Sequence, residues 1–210
     1  VTPENVTDMI VNMLPSSTFD CSKHLVDIAA KQGEFVYAVY KKYGKDIANN
    51  FYSIPTSKIA YEFTRKVYRL LELNVDNIEQ NYISYDLIEE NEYIVEESLK
   101  INGEIMKFDV IVGNPPYQED TKGYGRQAKP IYHKFVKQVK QLNPEFISLI
   151  IPSRWFTGGM GLSTFRSDMI NDNRIKTIHD YTNSKDCFPG VSISGGVCYF
   201  LWDKDYSGKC

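Results

Sequence analysis

The sequence has little that would indicate a metal site, a disulfide framework or a membrane protein. Four cysteines in 210 residues show neither Cys-x-x-Cys nor metal-ligand spacing, so we predict reduced thiols and no bound metal. No apolar run approaches the length of a membrane span, and the first residues lack a signal-peptide pattern. These absences favour a cytoplasmic protein with no membrane partner.

Positive charge is also scarce. Lysine and arginine number 24 against 27 acidic residues, which gives a net charge of −3 and a pI near 5.7. A domain that binds DNA tightly by itself is usually basic, so DNA binding would need a local patch or another domain. Gly158, Gly159 and Gly161 do not form G-x-G-x-x-G, so no dinucleotide site is predicted.

The clearest positive signal is an apolar run at residues 108–112 that ends at Gly113 and the turn Asn114-Pro115-Pro116-Tyr117. Its length and its Gly and Pro boundaries are typical of a buried parallel strand. The turn then lies at the carboxyl end of that strand, where open α/β sheets bind ligands. An ordinary Pro-Pro turn after a strand is the alternative.

The residues of this turn suit a planar substrate that carries an amino group. Pro115 and Pro116 have no N–H, so neighbouring carbonyls stay free as acceptors. Asn114 adds a side-chain oxygen, and Tyr117 adds an aromatic face. Such a set could bind the edge of a nucleobase or an amide.

Asn114-Pro115-Pro116-Tyr117 resembles the catalytic motif of the amino-methyltransferases that use S-adenosylmethionine, above all the DNA adenine-N6 methyltransferases. The resemblance implies that these four residues are catalytic. Asn114 and the Pro115 carbonyl would accept hydrogen bonds from the target amine, and Tyr117 would stack on the flipped base. S-adenosylmethionine is the implied cofactor, and double-stranded DNA the implied partner.

Two further segments match the cofactor-binding pattern of that family. The Thr2-Pro3 pair, with Thr2 as N-cap of a helix to about Leu14, is expected to hold the methionine part of the cofactor; a plain helix start is the alternative. A strand, a tight turn and a helix follow over residues 24–43. The resemblance assigns cofactor contacts to this set: Thr2, Pro3, Asp27, Ala29, Gly33, Phe35, Asp86 and Asn114.

The turn in residues 27–35 matches the family pattern Asp-Pro-x-Cys-Gly-Ser-Gly-x-Phe only in part. Asp27, Gly33 and Phe35 agree, and Gly33 can adopt a positive φ that lets the backbone approach a ligand. The other glycine of the pattern is replaced by Lys31, which lowers the agreement with the family's cofactor loop. The family's acid for the ribose hydroxyls is also missing, because Pro55 and Thr56 stand at that place.

Asp86 follows a predicted third strand at residues 82–85, where the family places an acid that faces the cofactor adenine. A solvated acid that opens a glutamate-rich segment is equally consistent with the sequence. Substrate contacts are expected from Tyr117, from Phe188, and from Lys122 and Arg126 in a polar loop that could meet phosphates. For Phe188 and the loop, a core residue and a surface loop are the alternatives.

Alternating strands and helices predict a three-layer α/β sandwich, a Rossmann-like S-adenosylmethionine-dependent methyltransferase fold with a mainly parallel seven-stranded sheet. A hairpin over residues 188–202 would supply the antiparallel strand. A helix over residues 56–72 is predicted to bury five apolar side chains. These are Ile59, Phe63, Val67, Leu70 and Leu71.

The order of Thr-Pro helix, cofactor loop, Asn-Pro-Pro-Tyr and terminal Phe-Pro-Gly segment resembles the Eco57I-type restriction-modification methylases over nearly the whole chain. We therefore predict that residues 1–210 form a methyltransferase catalytic domain, a fragment of a longer chain whose target-recognition domain or specificity subunit lies outside. The expected activity is adenine-N6 methylation in a type II restriction-modification system, with a fused nuclease possible although no P-D…(D/E)-x-K motif stands out. A silent DNA-binding or specificity module and a protein glutamine N5-methyltransferase are the alternatives.

Overall fold

The computed structural model describes residues 1–89, 92–119 and 128–210, and within them it contains a central sheet flanked by helices. The central strands are β1 Leu25–Ala30, β2 Phe51–Pro55, β6 Val110–Gly113, β7 Phe146–Pro152, β8 Ile175–Tyr181 and β9 Val197–Asp203. The helices are α1 Glu4–Met13, α2 Glu34–Tyr43, α3 Lys45–Ala48, α4 Lys58–Leu70, α5 Asp86–Glu89, α6 Tyr132–Gln141 and α7 Ser163–Ile170. A small antiparallel sheet holds β3 Ile94–Val95, β4 Ser98–Ile101 and β5 Glu104–Met106.

The central sheet has the order β2-β1-β6-β7-β9-β8. β1 pairs in parallel with β2 and β6, and β6 pairs in parallel with β7. β9 runs antiparallel to both β7 and β8, so it is the one reversed strand. The mainly parallel Rossmann-like sheet is confirmed, whereas the predicted count of seven strands is wrong, because the described residues form six.

Two apolar cores cover the two faces of this sheet and make it the middle of three layers. On β1, Leu25 packs into the core beneath α1 and α2, while Val26 packs into the core beneath α6 and α7. Both side chains are fully buried, as expected for strands covered on each face. The alternation of side chains along each strand therefore fixes the three-layer arrangement.

The predicted strand at residues 82–85 does not form. Only one bridge, between Ser53 and Ile78, continues the sheet beyond β2. The Ser84 hydroxyl donates to the Ile54 carbonyl at 3.0 Å, and the Asp86 carboxylate accepts from the Ile83 N–H at 2.8 Å. These side chains satisfy backbone groups locally, so the segment follows the sheet edge as a turn.

The predicted hairpin over residues 188–202 is wrong in its first half. β9 pairs instead with β8, which ends at Tyr181, and the connecting segment holds a short 3₁₀ helix at Ser184–Asp186. The Ser184 hydroxyl bonds the Val191 carbonyl at 2.9 Å and the Ile193 N–H at 2.8 Å. One serine thus folds residues 184–193 into a compact loop.

Helix α4 buries a different face from the predicted one. Ile59 is 71% exposed, Phe63 45% and Leu70 82%, so their assignment to the core is wrong. Tyr68 is fully buried, and its hydroxyl donates to the Phe51 carbonyl at 2.9 Å. Ala60 and Thr64 share the Tyr68 face, and Val67 and Leu71 are partly buried beside it.

Candidate active site

Two cavities meet at the carboxyl ends of β1, β2, β6 and β7, around the point where strand order reverses between β1 and β6. The first, here named the α5 cavity, measures about 860 Å³ and lies between Thr56, Asp86 and Tyr117. The second, the β7 cavity, measures about 510 Å³ and is bordered by Arg154 and Phe188. Such a position is where open α/β sheets bind ligands.

The Asn114-Pro115-Pro116-Tyr117 turn leaves β6 between these cavities. Asn114 is only 5% exposed, and its amide nitrogen donates to the Thr2 hydroxyl at 3.0 Å. Its side-chain oxygen is buried and has no hydrogen-bond partner among the described residues. Because a buried acceptor without a partner is costly, this oxygen is suited to receive a donor from a ligand.

Thr2 connects the predicted catalytic turn to the loop after β1. It is buried and lies outside α1, whose N-cap is Pro3, so its predicted N-cap role is wrong. The backbone N–H of Thr2 donates to one Glu34 carboxylate oxygen at 3.0 Å, and the Gln32 N–H donates to the other at 2.8 Å. The Thr2 hydroxyl therefore accepts a long-range hydrogen bond from Asn114 and does not cap α1. Glu34 also belongs to this junction, and no pattern in the sequence indicated it as a site residue.

Lys31 extends from the same loop to the catalytic turn. Its ammonium donates to the Asn114 backbone carbonyl at 3.1 Å, and its half-buried side chain lines both cavities. Burial lowers the pKa of Lys31, although the charges of Asp27 and Glu34 oppose that shift. The residue that departs most from the family pattern is therefore in contact with the catalytic turn.

The remaining residues of the predicted cofactor loop lie behind the cavities. Asp27 is 1% exposed, accepts from the Ala29 N–H at 2.9 Å, and has a pKa that burial raises to about 8. Gly33 has the expected positive φ of 74°, yet an added Cβ would meet Val67 of α4 at 3.2 Å. Phe35 is buried in the core beneath α1 and α2. Asp27, Ala29, Gly33 and Phe35 are therefore held by packing, and none of the four lines either cavity.

Asp86 lies on the wall of the α5 cavity at the start of α5. The ends of β1 and β2 contribute Lys31, Thr56 and Ser57 to the same wall. A cavity of this size is within the range that small-molecule ligands occupy. The acid at Asp86 and the hydroxyls of Thr56 and Ser57 match the donors of an adenosine-containing cofactor, so the residues present fit S-adenosylmethionine.

Phe188 and Tyr117 line the β7 cavity together. Tyr117 is half-buried, its hydroxyl has no partner among the described residues, and burial raises its pKa well above the usual range. Tyr132 of α6 and Arg154 after β7 complete the wall, and sequence reasoning missed both as site residues. Lys122 and Arg126 lie outside the described residues.

The described part of the chain contains no group of three or more His, Cys, Asp or Glu side chains that could hold a metal ion. None of its helices combines the length and apolar character needed to cross a bilayer.

Comparison with known proteins places this site in a family. The model of the Eco57I restriction-modification methylase family matches residues 42–188, which is more than half of the chain. The chain belongs to this family. The match contains the Asn114-Pro115-Pro116-Tyr117 turn, Asp86 and Phe188, and it begins after the Thr2-Pro3 segment and the loop that follows β1.

Individual relatives of this Eco57I-family chain agree in class. An uncharacterized adenine-specific methylase from Mycoplasma pneumoniae is 38% identical over 138 residues, which are 64% of this chain and 33% of that protein. The type I restriction-modification methyltransferase subunit from Streptococcus thermophilus superposes with a TM-score of 0.71 at 15% identity, over 98% of this chain and 45% of that one. The protein in the DrdV–DNA complex superposes with a TM-score of 0.70 at 12% identity, over 97% of this chain and 26% of that one.

These structural likenesses confirm a fold shared with restriction-modification methyltransferases. The chain spans about a third of the curated relative and under half of the solved subunits that it matches.

Proposed function

We propose that this chain is the catalytic domain of a DNA adenine-N6 methyltransferase that uses S-adenosylmethionine within a restriction-modification system. The observation that carries the proposal is the buried Asn114 oxygen, which has no partner among the described residues and belongs to a residue that lines the β7 cavity. The family match and the adenine-specific relative support the reaction class.

The α5 cavity would hold the cofactor, with Asp86 toward its adenine and Lys31, Pro116 and Tyr117 at the inner end. When bound, S-adenosylmethionine supplies a methyl group on a positively charged sulfonium. In this arrangement, six residues that were predicted to contact the cofactor would act on it only indirectly. They are Thr2, Pro3, Asp27, Ala29, Gly33 and Phe35. Thr2 and Asp27 would position Asn114 and the loop after β1.

The β7 cavity would receive the target adenine. The base has to leave the duplex before its Watson–Crick edge can reach Asn114, because stacking and pairing hide the amino group. The Asn114 oxygen and the Pro115 carbonyl would accept the two amine hydrogens, and Pro116 would fix the turn. Tyr117 and Phe188 would contact the two faces of the base. The amine nitrogen would form a bond to the methyl carbon as the bond from that carbon to the sulfonium sulfur breaks, and the amine would release one proton to solvent.

The Asn114 role predicts a specific loss of turnover. In the full-length protein, Asn114→Ala should lower DNA methylation by about 10²–10³-fold, the scale for loss of one preorganised polar contact. Transfer of a radiolabelled methyl group to duplex DNA measures turnover, and calorimetric titration measures cofactor binding, which should stay near normal. Unchanged turnover would overturn the assignment.

The same two assays separate the alternatives. A silent specificity module would show no heat with S-adenosylmethionine at millimolar concentration, whereas a protein glutamine methyltransferase would bind the cofactor and not respond to DNA. The acidic composition and the length of the relatives favour a target-recognition domain or specificity subunit outside this segment. A type II system and a cytoplasmic location complete the proposal.

A further inference from the structure

Lys31 lies at the junction of the two cavities. Of the residues that the structure describes, four line both cavities, and among these four Lys31 alone carries a charge; the other three are Pro116, Tyr117 and Gln118. Any group that passes from the α5 cavity to the Asn114 turn therefore passes this ammonium.

The ammonium is held at that place by the turn itself. Its nitrogen lies 3.1 Å from the Asn114 carbonyl oxygen, and the side chain is half-buried. A half-buried charge is screened less by water and salt than an exposed one. The anchoring acceptor belongs to the same residue whose side-chain oxygen is assigned to the target amine.

No carboxylate within the described residues pairs with Lys31. Both Glu34 oxygens accept from backbone N–H groups, those of Thr2 and Gln32. The Asp27 carboxyl group accepts from the Ala29 N–H at 2.9 Å and makes no ion pair with Lys31. The positive charge of Lys31 is therefore not neutralised by direct contact.

S-adenosylmethionine and its product differ in charge at the sulfur. The donor is a sulfonium cation, and loss of the methyl group to the amine leaves S-adenosylhomocysteine with a neutral thioether. We propose, building on the function given above, that Lys31 is a specificity-determining residue whose ammonium at the cavity junction disfavours the cationic donor relative to the neutral product. Like charges in a partly buried site repel more strongly than in bulk water.

The test is the ratio of affinities for the two cofactor forms, measured by calorimetric titration of the full-length protein without DNA. In Lys31→Met, S-adenosylmethionine should bind about tenfold more tightly and S-adenosylhomocysteine should change little, so the preference for product falls about tenfold. Lys31→Arg, which keeps the charge, should retain the original ratio. Lys31→Gln provides a second neutral variant should Lys31→Met fail to fold.

Lys134 supplies the matched control, because of the two cavities it lines only the α5 cavity, away from their junction, and it is exposed on α6. Lys134→Met should leave the ratio unchanged. If Lys31→Met weakens both ligands equally, Lys31 binds the ligand carboxylate and the inference is wrong. An unchanged ratio also overturns the inference while leaving the proposed function intact, whereas absence of binding to every variant overturns both.

Discussion

At the scale of one residue, the aromatic ring and the hydroxyl of Tyr117 are expected to contribute differently to base binding. The hydroxyl is buried and has no partner in the described part of the chain, so the proposed stacking depends on the aromatic face. Tyr117→Phe should methylate DNA nearly as well as the parent, whereas Tyr117→Ala should lose about 1–3 kcal/mol of base stacking. Methylation kinetics on duplex DNA measure both, and a mismatch opposite the adenine should partly rescue Tyr117→Ala. Equal damage by both substitutions would contradict stacking.

Asp27 predicts a pH dependence of stability. Its pKa is raised by burial to about 8, so the native protein keeps a proton that the unfolded chain releases near pH 4. The associated stability is complete below pH 4 and declines as the pH rises to about 8, by at most about 1.4 kcal/mol per pH unit. In Asp27→Asn the side chain is neutral at every pH, and its oxygen can still accept the hydrogen bond from the Ala29 N–H.

Urea unfolding from pH 5 to pH 9 checks this prediction. The free energy of unfolding of Asp27→Asn, relative to the parent, should increase from pH 5 to about pH 8 and then level off. Asp46→Asn, at an exposed position, is the control. A constant difference between Asp27→Asn and the parent would show that Asp27 is ionised in the native state.

At the scale of elements, Asp172 joins α6, β8 and β9. Its carboxylate accepts from Lys140 at 2.8 Å, from Arg174 at 2.7 Å and from the Trp202 indole at 3.0 Å. Burial alone would raise the pKa of Asp172, but the hydrogen bonds from Arg174 and Lys140 outweigh it and keep the pKa well below its usual range. The carboxylate therefore stays charged through mild acid.

Asp172→Asn should lower the free energy of unfolding by about 1–3 kcal/mol, because the donors lose a charged acceptor in a largely buried position. Chemical denaturation at pH 7 gives the value. The control is Glu72→Gln, which removes an exposed ion pair with Lys45 and should have no measurable effect. If the two substitutions prove equally mild, the network does not hold these elements together.

The elements also show which features the sequence could predict. β1, β6 and β7 were predictable because continuous apolar runs bounded by polar turns have few alternatives. The buried face of α4 could not be predicted, because Tyr68 has a polar hydroxyl and is buried through hydrogen bonds to β2, one of them with Ser53 at 3.0 Å. Periodicity counts apolar residues and cannot register such partners.

The candidate site likewise contains residues that the sequence could predict and residues that it could not. Asn114 and Tyr117 were predictable because four adjacent residues carry the chemistry. The junction formed by Thr2, Lys31 and Glu34 could not be predicted, because it depends on contacts between distant segments. Thr2 and Asn114, for example, are 112 positions apart in the sequence. Strand order brings these segments together, and a single sequence does not encode it in any local pattern.

At the scale of the whole molecule, charge is unevenly distributed. The chain carries a net charge of −3, yet no Asp or Glu is among the described residues that line the β7 cavity, whereas Lys31 and Arg154 are. Arg154 has no ion-pair partner within the described ranges. A free guanidinium beside the proposed base site is suited to a DNA phosphate.

Arg154→Ala should therefore weaken DNA binding by the full-length protein and reduce the slope of log affinity against log salt by about 0.9, the value for one phosphate contact. Fluorescence anisotropy at several salt concentrations measures both quantities. Lys45→Ala, which removes a lysine already paired with Glu72, is the control. A slope identical to that of the parent would place Arg154 away from the DNA backbone.

The position of β9 has a consequence for the order of folding. Among the described residues β9 follows β7 and β8 in sequence, yet it lies between them, so both of its neighbours are made earlier during synthesis. Until Val197–Asp203 arrives, β7 has one open edge and β8 has no partner in the order observed. Open edges template pairing with other chains, and distant pairings form slowly. A chain interrupted before Val197 would therefore be prone to aggregate even though its Asn114-Pro115-Pro116-Tyr117 turn is already complete.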